Sequence, residues 1–131
     1  MSAAAMKILG IEHCTVMTPD IAATAAFYQR VLCFVGGPRP AFAVRGAWLY
    51  QNDQPLVHIM EGRPEVGSAA LEHVAFVTTG LASCLNHLRR ESVAFDLKRQ
   101  PPPVQNWQIF LRDPNGVRLE LNFAASETEE A

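Results

Sequence analysis

The chain has 131 residues, 49% hydrophobic and 18% charged, and its 11 basic against 13 acidic side chains leave a formal charge of −2. That is one ordinary domain, able to bury roughly two-thirds of its unfolded surface without a disulfide or structural metal. A pI near 6.0 without a basic run excludes the phosphate footprint of a nucleic-acid binder. No apolar run approaches the ~20 residues of a spanning helix, and Met1–Lys7 lacks a signal sequence's charged-then-apolar order. A cytoplasmic protein with no membrane partner is therefore expected. Cys14, Cys33 and Cys84 are odd in number and widely spaced, which argues against a disulfide framework or thiolate metal site and predicts three small buried hydrophobes.

The chain carries one internal repeat. Sliding Ile11–Phe34 by 60 positions lays Ile11-Glu12-His13 over Leu71-Glu72-His73, Thr18 over Thr78, Ala22 over Ala82 and Arg30 over Arg90. A strand-like run from Ile8 to Met17 carries His13 and leads through Thr18-Pro19-Asp20, with Asp20 in N-cap position, into a helix. Its apolar residues Ile21, Ala25, Tyr28 and Leu32 recur at helical spacing. Gly36-Gly37-Pro38 punctuates its end. Strand-like runs follow at Ala41–Val44, Ala47–Tyr50 and Leu56–Met60, the last two joined by turn residues 51–55.

A Gly/Pro-bearing linker, 62–68, separates the copies. The second copy opens with Leu71–Thr78, carrying His73, and a helix runs from Leu81 through Cys84, Leu85 and Leu88 to Glu91. Runs at Ala94–Lys98, Trp107–Arg112 and Val117–Phe123 complete it, with Asp113-Pro114-Asn115-Gly116 turning the last pair. The acidic tail, 124–131, is expected to fray and to carry no chemistry. The expected fold is α+β: two βαβββ modules, about 8–61 and 69–123, forming a cup-shaped, barrel-like mixed sheet with the helices outside.

Strand alternation assigns faces. Val117, Leu119, Leu121 and Phe123 cover the helix side, which sends Arg118, Glu120 and Asn122 to the other face. In the same way His58 opposes Val57 and Ile59, taking in copy one the place of Glu120 in copy two. His13, His58, His73 and Glu120 thus form a pseudo-symmetric set of imidazoles and a carboxylate, ligands suited to Fe, Mn, Ni or Zn. The same register turns Trp48 and Tyr50, and Gln108 and Phe110, into the cup as pocket walls. Arg39, Arg45 and Arg118 are available for an anionic group, though a solvated arginine is the commoner case. His87, mid-helix, is expected to be structural.

These strings resemble the vicinal oxygen chelate superfamily, which groups glyoxalase I, fosfomycin-resistance transferases, extradiol dioxygenases and bleomycin-binding proteins. The resemblance rests on Ile11-Glu12-His13, the helix-end string Ala26–Phe34, Leu71–Phe76 and, most specifically, Phe110–Leu121, and it covers about residues 8–123. It implies a divalent metal held by His13, His73 and Glu120, with His58 at an optional fourth position. It also implies a small-molecule substrate chelated through vicinal oxygens, and a homodimer. With three protein ligands an octahedral ion keeps room for a catecholate and O₂, as a ring-cleaving dioxygenase requires. With His58 also bound, a glyoxalase-like lyase or isomerase fits better, with Glu120 as base and Tyr50 as the weaker acid/base candidate. From another class stands a non-catalytic dimer that sequesters an antibiotic or toxin.

Overall fold

The computed structural model describes residues 11, 13–63 and 73–130. Its elements are β1 (Cys14–Thr18), α1 (Ile21–Leu32), β2 (Val35–Gly37), β3 (Gly46–Gln51), β4 (Gln54–Glu61), β5 (Val74–Val77), α2 (Leu81–Arg90), β6 (Asp96–Arg99), β7 (Trp107–Arg112) and β8 (Arg118–Phe123). They form two four-stranded mixed sheets of matching order, β1-β4-β3-β2 and β5-β8-β7-β6, each with its first strand parallel to its last and the others antiparallel. Two βαβββ modules are therefore present. Among the described residues the sheets stay separate instead of closing into one barrel.

Alternation builds the core as expected. Val16, Leu49, Val57 and Ile59 of the first sheet and Ile109, Leu119, Leu121 and Phe123 of the second are buried in one cluster with Tyr28 and Val31 of α1 and Leu81, Leu85 and Leu88 of α2. Each such side chain contributes about 1.5–3 kcal/mol of burial. Asp20 caps α1, its Oδ1 accepting from the Ala23 amide at 3.0 Å. The β3–β4 hairpin turns on Asn52 and Asp53, both at positive φ, the conformation that a tight primed turn needs and that Asn and Asp tolerate.

Three expectations are corrected. The strand expected at Ala41–Val44 is absent, and Val35–Gly37 fills its place at the sheet edge, pairing with Trp48–Tyr50. The glycines read as punctuation are strand residues because the Tyr50 ring closes over Gly37, where a Cβ would lie 2.6 Å from Tyr50 Cε1. Cys33 is exposed, since it is the left-handed C-cap of α1 and its side chain leaves the helix stripe. The acidic tail is anchored: Glu127 Oε1 accepts from the Gly80 and Leu81 amides at 2.9 and 2.8 Å, supplying the cap that Gly80 cannot. Trp107 Nε1 adds a bond to the Glu127 carbonyl at 2.8 Å. The linker expected at 62–68 lies mostly outside the described residues.

The modules are joined through two of the four strings that carry the resemblance. Tyr28 of α1 donates its hydroxyl to Asp113 Oδ2 at 3.0 Å across 85 residues of sequence. Asp113 Oδ1 accepts the Asn115 and Val117 amides at 2.7 and 2.9 Å, shaping the β7–β8 turn. Asn115 then donates to Thr24 Oγ1 at 2.8 Å. Buried Tyr28 has its hydroxyl held protonated, first by burial and then by the Asp113 charge. At the helix ends, Arg30 pairs with Glu91 at 2.8 Å and His87 Nε2 donates to the Arg30 carbonyl at 3.0 Å, so His87 is structural.

Candidate functional site

The face of the first sheet opposite its core presents His13, just before β1, then Thr15, His58 and Trp48 side by side. Thr15 and Trp48 flank His58 in the strand register. The rings form a three-layer stack: His13 and His58 lie 3.8 Å apart at 12°, and His58 and Trp48 lie 4.1 Å apart at 14°. His58 Nε2 stands 3.1 Å from the Pro55 carbonyl, which can only accept, so Nε2 carries the proton and a neutral ring has its lone pair on Nδ1. Ring lone pairs lie in the ring plane. Those of two nearly parallel stacked rings run side by side and do not converge on one ion.

Beyond Trp48 this face becomes a cavity of about 420 Å³, walled by Thr15, Arg39, Phe42, Trp48, His58 and Met60. Arg39 lies with its guanidinium carbon 5.0 Å over the Phe42 ring and donates from Nη2 to the Val44 carbonyl at 2.8 Å. Gly46 makes room, since a Cβ there would stand 2.1 Å from the Ile59 carbonyl oxygen and 2.9 Å from Arg39 Nη2. Arg39 Nε is buried and, among the described residues, has no acceptor. Such an orphaned donor ordinarily costs about 1–3 kcal/mol. Tyr50 donates its hydroxyl to the Pro38 carbonyl. Arg45 pairs with Glu61 at 3.2 Å in an exposed position.

The second sheet repeats the register with different chemistry. Glu120 lies between Ala75 and Phe110, as His58 lies between Thr15 and Trp48. His73 stands just before β5 with Nε2 3.5 Å from Glu120 Oε1. Glu120 is only 6% exposed, and a buried carboxylate needs donors. Asn122 supplies one to Oε2 at 3.2 Å, and Asn106 in turn donates to Asn122 Oδ1 at 3.2 Å. Phe110 meets the His73 ring edge-on at 6.4 Å and lies under Arg118, 4.3 Å away, and Lys98, 5.6 Å away. Gln108 is the cross-strand partner of Asn122.

The expected residues thus gather as two half-sites, His13 with His58 and Trp48, and His73 with Glu120 and Phe110. Among the described residues no three His, Cys, Asp or Glu side chains come together as one metal cage. The donor chemistry nonetheless fits a divalent ion: imidazoles, and one buried carboxylate oriented by an amide. Sequence reasoning missed the Asn106–Asn122 relay, because it depends on a loop meeting a strand, and the buried Nε of Arg39, because the strand was expected elsewhere.

The model of the Glyoxalase/Bleomycin resistance protein/Dioxygenase superfamily matches residues 10–121, and the chain belongs to that superfamily. The uncharacterized protein YaeR of Escherichia coli (strain K12) is 27% identical over 122 residues, covering 85% of this chain and 93% of YaeR. A glyoxylase/bleomycin resistance protein/dioxygenase domain from Frankia sp. EAN1pec has a TM-score of 0.73 at 16% identity, covering 95% of this chain and 98% of that one. The fosfomycin resistance protein FosX of Listeria monocytogenes has a TM-score of 0.69 at 18% identity, covering 94% and 99%. At these identities the two structures share the fold. Among the described residues no helix is long and apolar enough to cross a membrane.

Proposed function

We propose that the protein is a divalent-metal-dependent enzyme acting on a small substrate through neighbouring oxygens, with a site completed by a second copy of the chain. The observation that carries this reading is the division of the donors into two half-sites at matching register, with no cage of three among the described residues of one chain. In a dimer where module one of each copy meets module two of the other, His13 joins His73 and Glu120 of the partner subunit, twice. When bound, the metal supplies Lewis acidity toward vicinal substrate oxygens.

The chain's own residues divide the remaining work. Glu120, oriented by Asn122, accepts and returns the substrate proton at its Oε1. Tyr50, its hydroxyl given to Pro38, anchors the β2 edge. Trp48, Gln108 and Phe110 wall the substrate. The His13–His58 stack supports a three-donor set of His13, His73 and Glu120, with His58 joining only if its ring turns. Three donors favour ring-cleaving oxygenation, and four favour glyoxalase-like lyase or isomerase chemistry. The second reading, a dimer that sequesters an antibiotic or toxin without turnover, draws on the same stack, since aromatic faces bind planar ligands without reacting.

Elemental mass spectrometry on anaerobically purified protein tests the reading when combined with copy mixing. A chain carrying His13→Ala and a chain carrying Glu120→Gln should each lose metal. Their mixed dimer should regain one intact site, half the wild-type content. Wild-type protein that stays empty after reconstitution with Fe, Mn, Ni or Zn would leave the sequestering reading, and metal that no mixing restores would refute the shared site.

A further inference from the structure

Away from both half-sites, the cleft between the modules brings two of the three cysteines together. A cavity of about 410 Å³ there is lined by Cys33 at the end of α1, by Cys84 and His87 of α2, and by Leu56, Phe76 and Thr78. Cys33 Sγ lies 3.8 Å from His87 Nε2. Cys84 precedes His87 by three residues on α2, the spacing that puts two side chains on one helix face with Cβ atoms about 5–6 Å apart. The His87 Nε2 proton already goes to the Arg30 carbonyl at 3.0 Å, so the long contact with sulfur leaves Cys33 able to turn toward Cys84. Cys33 is exposed and Cys84 half-buried. Cys14 belongs to β1 and does not line this cleft.

The backbone sets up this meeting. Cys33 stands at φ 61° and ψ 28°, with its amide bonded to the Tyr28 carbonyl, in a left-handed cap that glycine adopts freely and that costs any residue with a Cβ. A thiol is thus held where the conformation disfavours it, facing a helix that carries a second thiol.

We infer that Cys33 and Cys84 are a redox pair, in which a hydroperoxide oxidises Cys33 and Cys84 then closes a disulfide between α1 and α2. In the first step the Cys33 sulfur, as thiolate, takes the terminal OH of the hydroperoxide. The O–O bond breaks, a sulfenic acid forms, and the departing alkoxide or hydroxide picks up the proton that the thiol had lost. In the second step Cys84 Sγ attacks the sulfenic sulfur. The S–S bond forms, the S–O bond breaks, and the Cys84 proton leaves with the hydroxyl as water. Two thiols give up two electrons, and the peroxide takes both. Access fixes the order. Cys33 is exposed, whereas burial first and then neighbouring Cys33 push the Cys84 thiol up to about 11, which keeps it protonated until a sulfenic acid stands beside it. The product ties α1 to the second module a second time, after the Tyr28–Asp113 bond, and a reversible bond of this kind suits a reducing compartment in which permanent disulfides do not last.

The test treats full-length protein, reduced and then freed of reductant, with one equivalent of hydrogen peroxide and maps it by mass spectrometry. Each chain is expected to lose two hydrogens, with the Cys33 and Cys84 peptides joined, Cys14 still reduced, and the starting mass restored by dithiothreitol. Dilution of the protein by about tenfold should not slow closure of the disulfide once Cys33 is oxidised, because both thiols lie in one chain. Cys84→Ser should stop the reaction at a Cys33 sulfenic acid that dimedone traps, and Cys33→Ser should leave Cys84 reduced under the same conditions. Wild-type protein whose Cys33 runs on to sulfinic acid, whose chains join to one another without an internal bond, or whose thiols all stay reduced in excess peroxide would overturn the inference without recourse to any variant. A bond from Cys33 to Cys14 in place of Cys84 would do the same.

Discussion

The Tyr28–Asp113 bond makes a sharp prediction about what holds the modules together. Tyr28→Phe removes one hydroxyl from a fully buried position and leaves Asp113 Oδ2, on a residue only 5% exposed, without that donor. A hydrogen bond to a charged group contributes about 1.5–3 kcal/mol. Unfolding entropy of about 2.1 cal/mol/K per residue over 131 residues is about 0.28 kcal/mol/K, so a loss of 2 kcal/mol should lower Tm by about 7 °C. Asp113→Ala should cost more, because it also strips the acceptor from the Asn115 and Val117 amides that shape the β7–β8 turn. Urea unfolding followed by far-ultraviolet circular dichroism, with Tyr28→Phe, Asp113→Ala and the double variant, isolates the coupling. A coupling below about 0.5 kcal/mol would refute the claim that this pair ties α1 to the second module.

Three further outcomes are expected. Glu127→Ala removes the carboxylate from the amino end of α2 and should cost about 1 kcal/mol; an unchanged melting temperature would mean that the tail does not cap the helix. Asn122→Ala frees Glu120 Oε2 and should weaken metal binding about 10–100-fold in a chelator competition, and unaltered affinity would show that the relay does not orient the carboxylate. The Cys84 thiol is pushed up to about 11 by burial and then by neighbouring Cys33, so at pH 8 only about one molecule in a thousand carries its thiolate. Exposed Cys33 should therefore take iodoacetamide first by peptide mass mapping, and equal labelling in folded protein would contradict this. The sign for stability follows: the unfolded Cys84 thiol, near its ordinary 9.0, ionises before the folded one, so stability should fall as pH rises from about 9 to 11.

Much of the fold was legible because the period of the apolar residues carries it. Val117 to Phe123 alternates without a break and became β8, and the apolar spacing from Ile21 to Leu32 became α1 with Asp20 as its cap. The strand misplaced at Ala41–Val44 failed for a stated reason. The run there is apolar but does not alternate, and Val35–Gly37 took the edge because its glycines let the Tyr50 ring lie over them. Glu127 was unreadable for a different reason, since a cap supplied from 46 residues away leaves no local pattern.

The candidate site divides along the same line. Strand parity alone put His58 and Trp48 on one face, and Glu120 and Phe110 likewise, and the structure makes each pair cross-strand neighbours within one module. How one half-site stands to the other is set by Tyr28, Asp113, Asn115 and Thr24, contacts between segments that share no period. Those contacts join the modules through the face of the sheets that holds the core, which leaves His13 and Glu120 on the faces turned away from it. A chain that commits its core-facing surfaces to joining its own modules has its ligand-bearing faces available for a second copy. If the proposed shared site forms, loosening the Tyr28–Asp113 bond should lower the metal content of the dimer as well as the melting temperature.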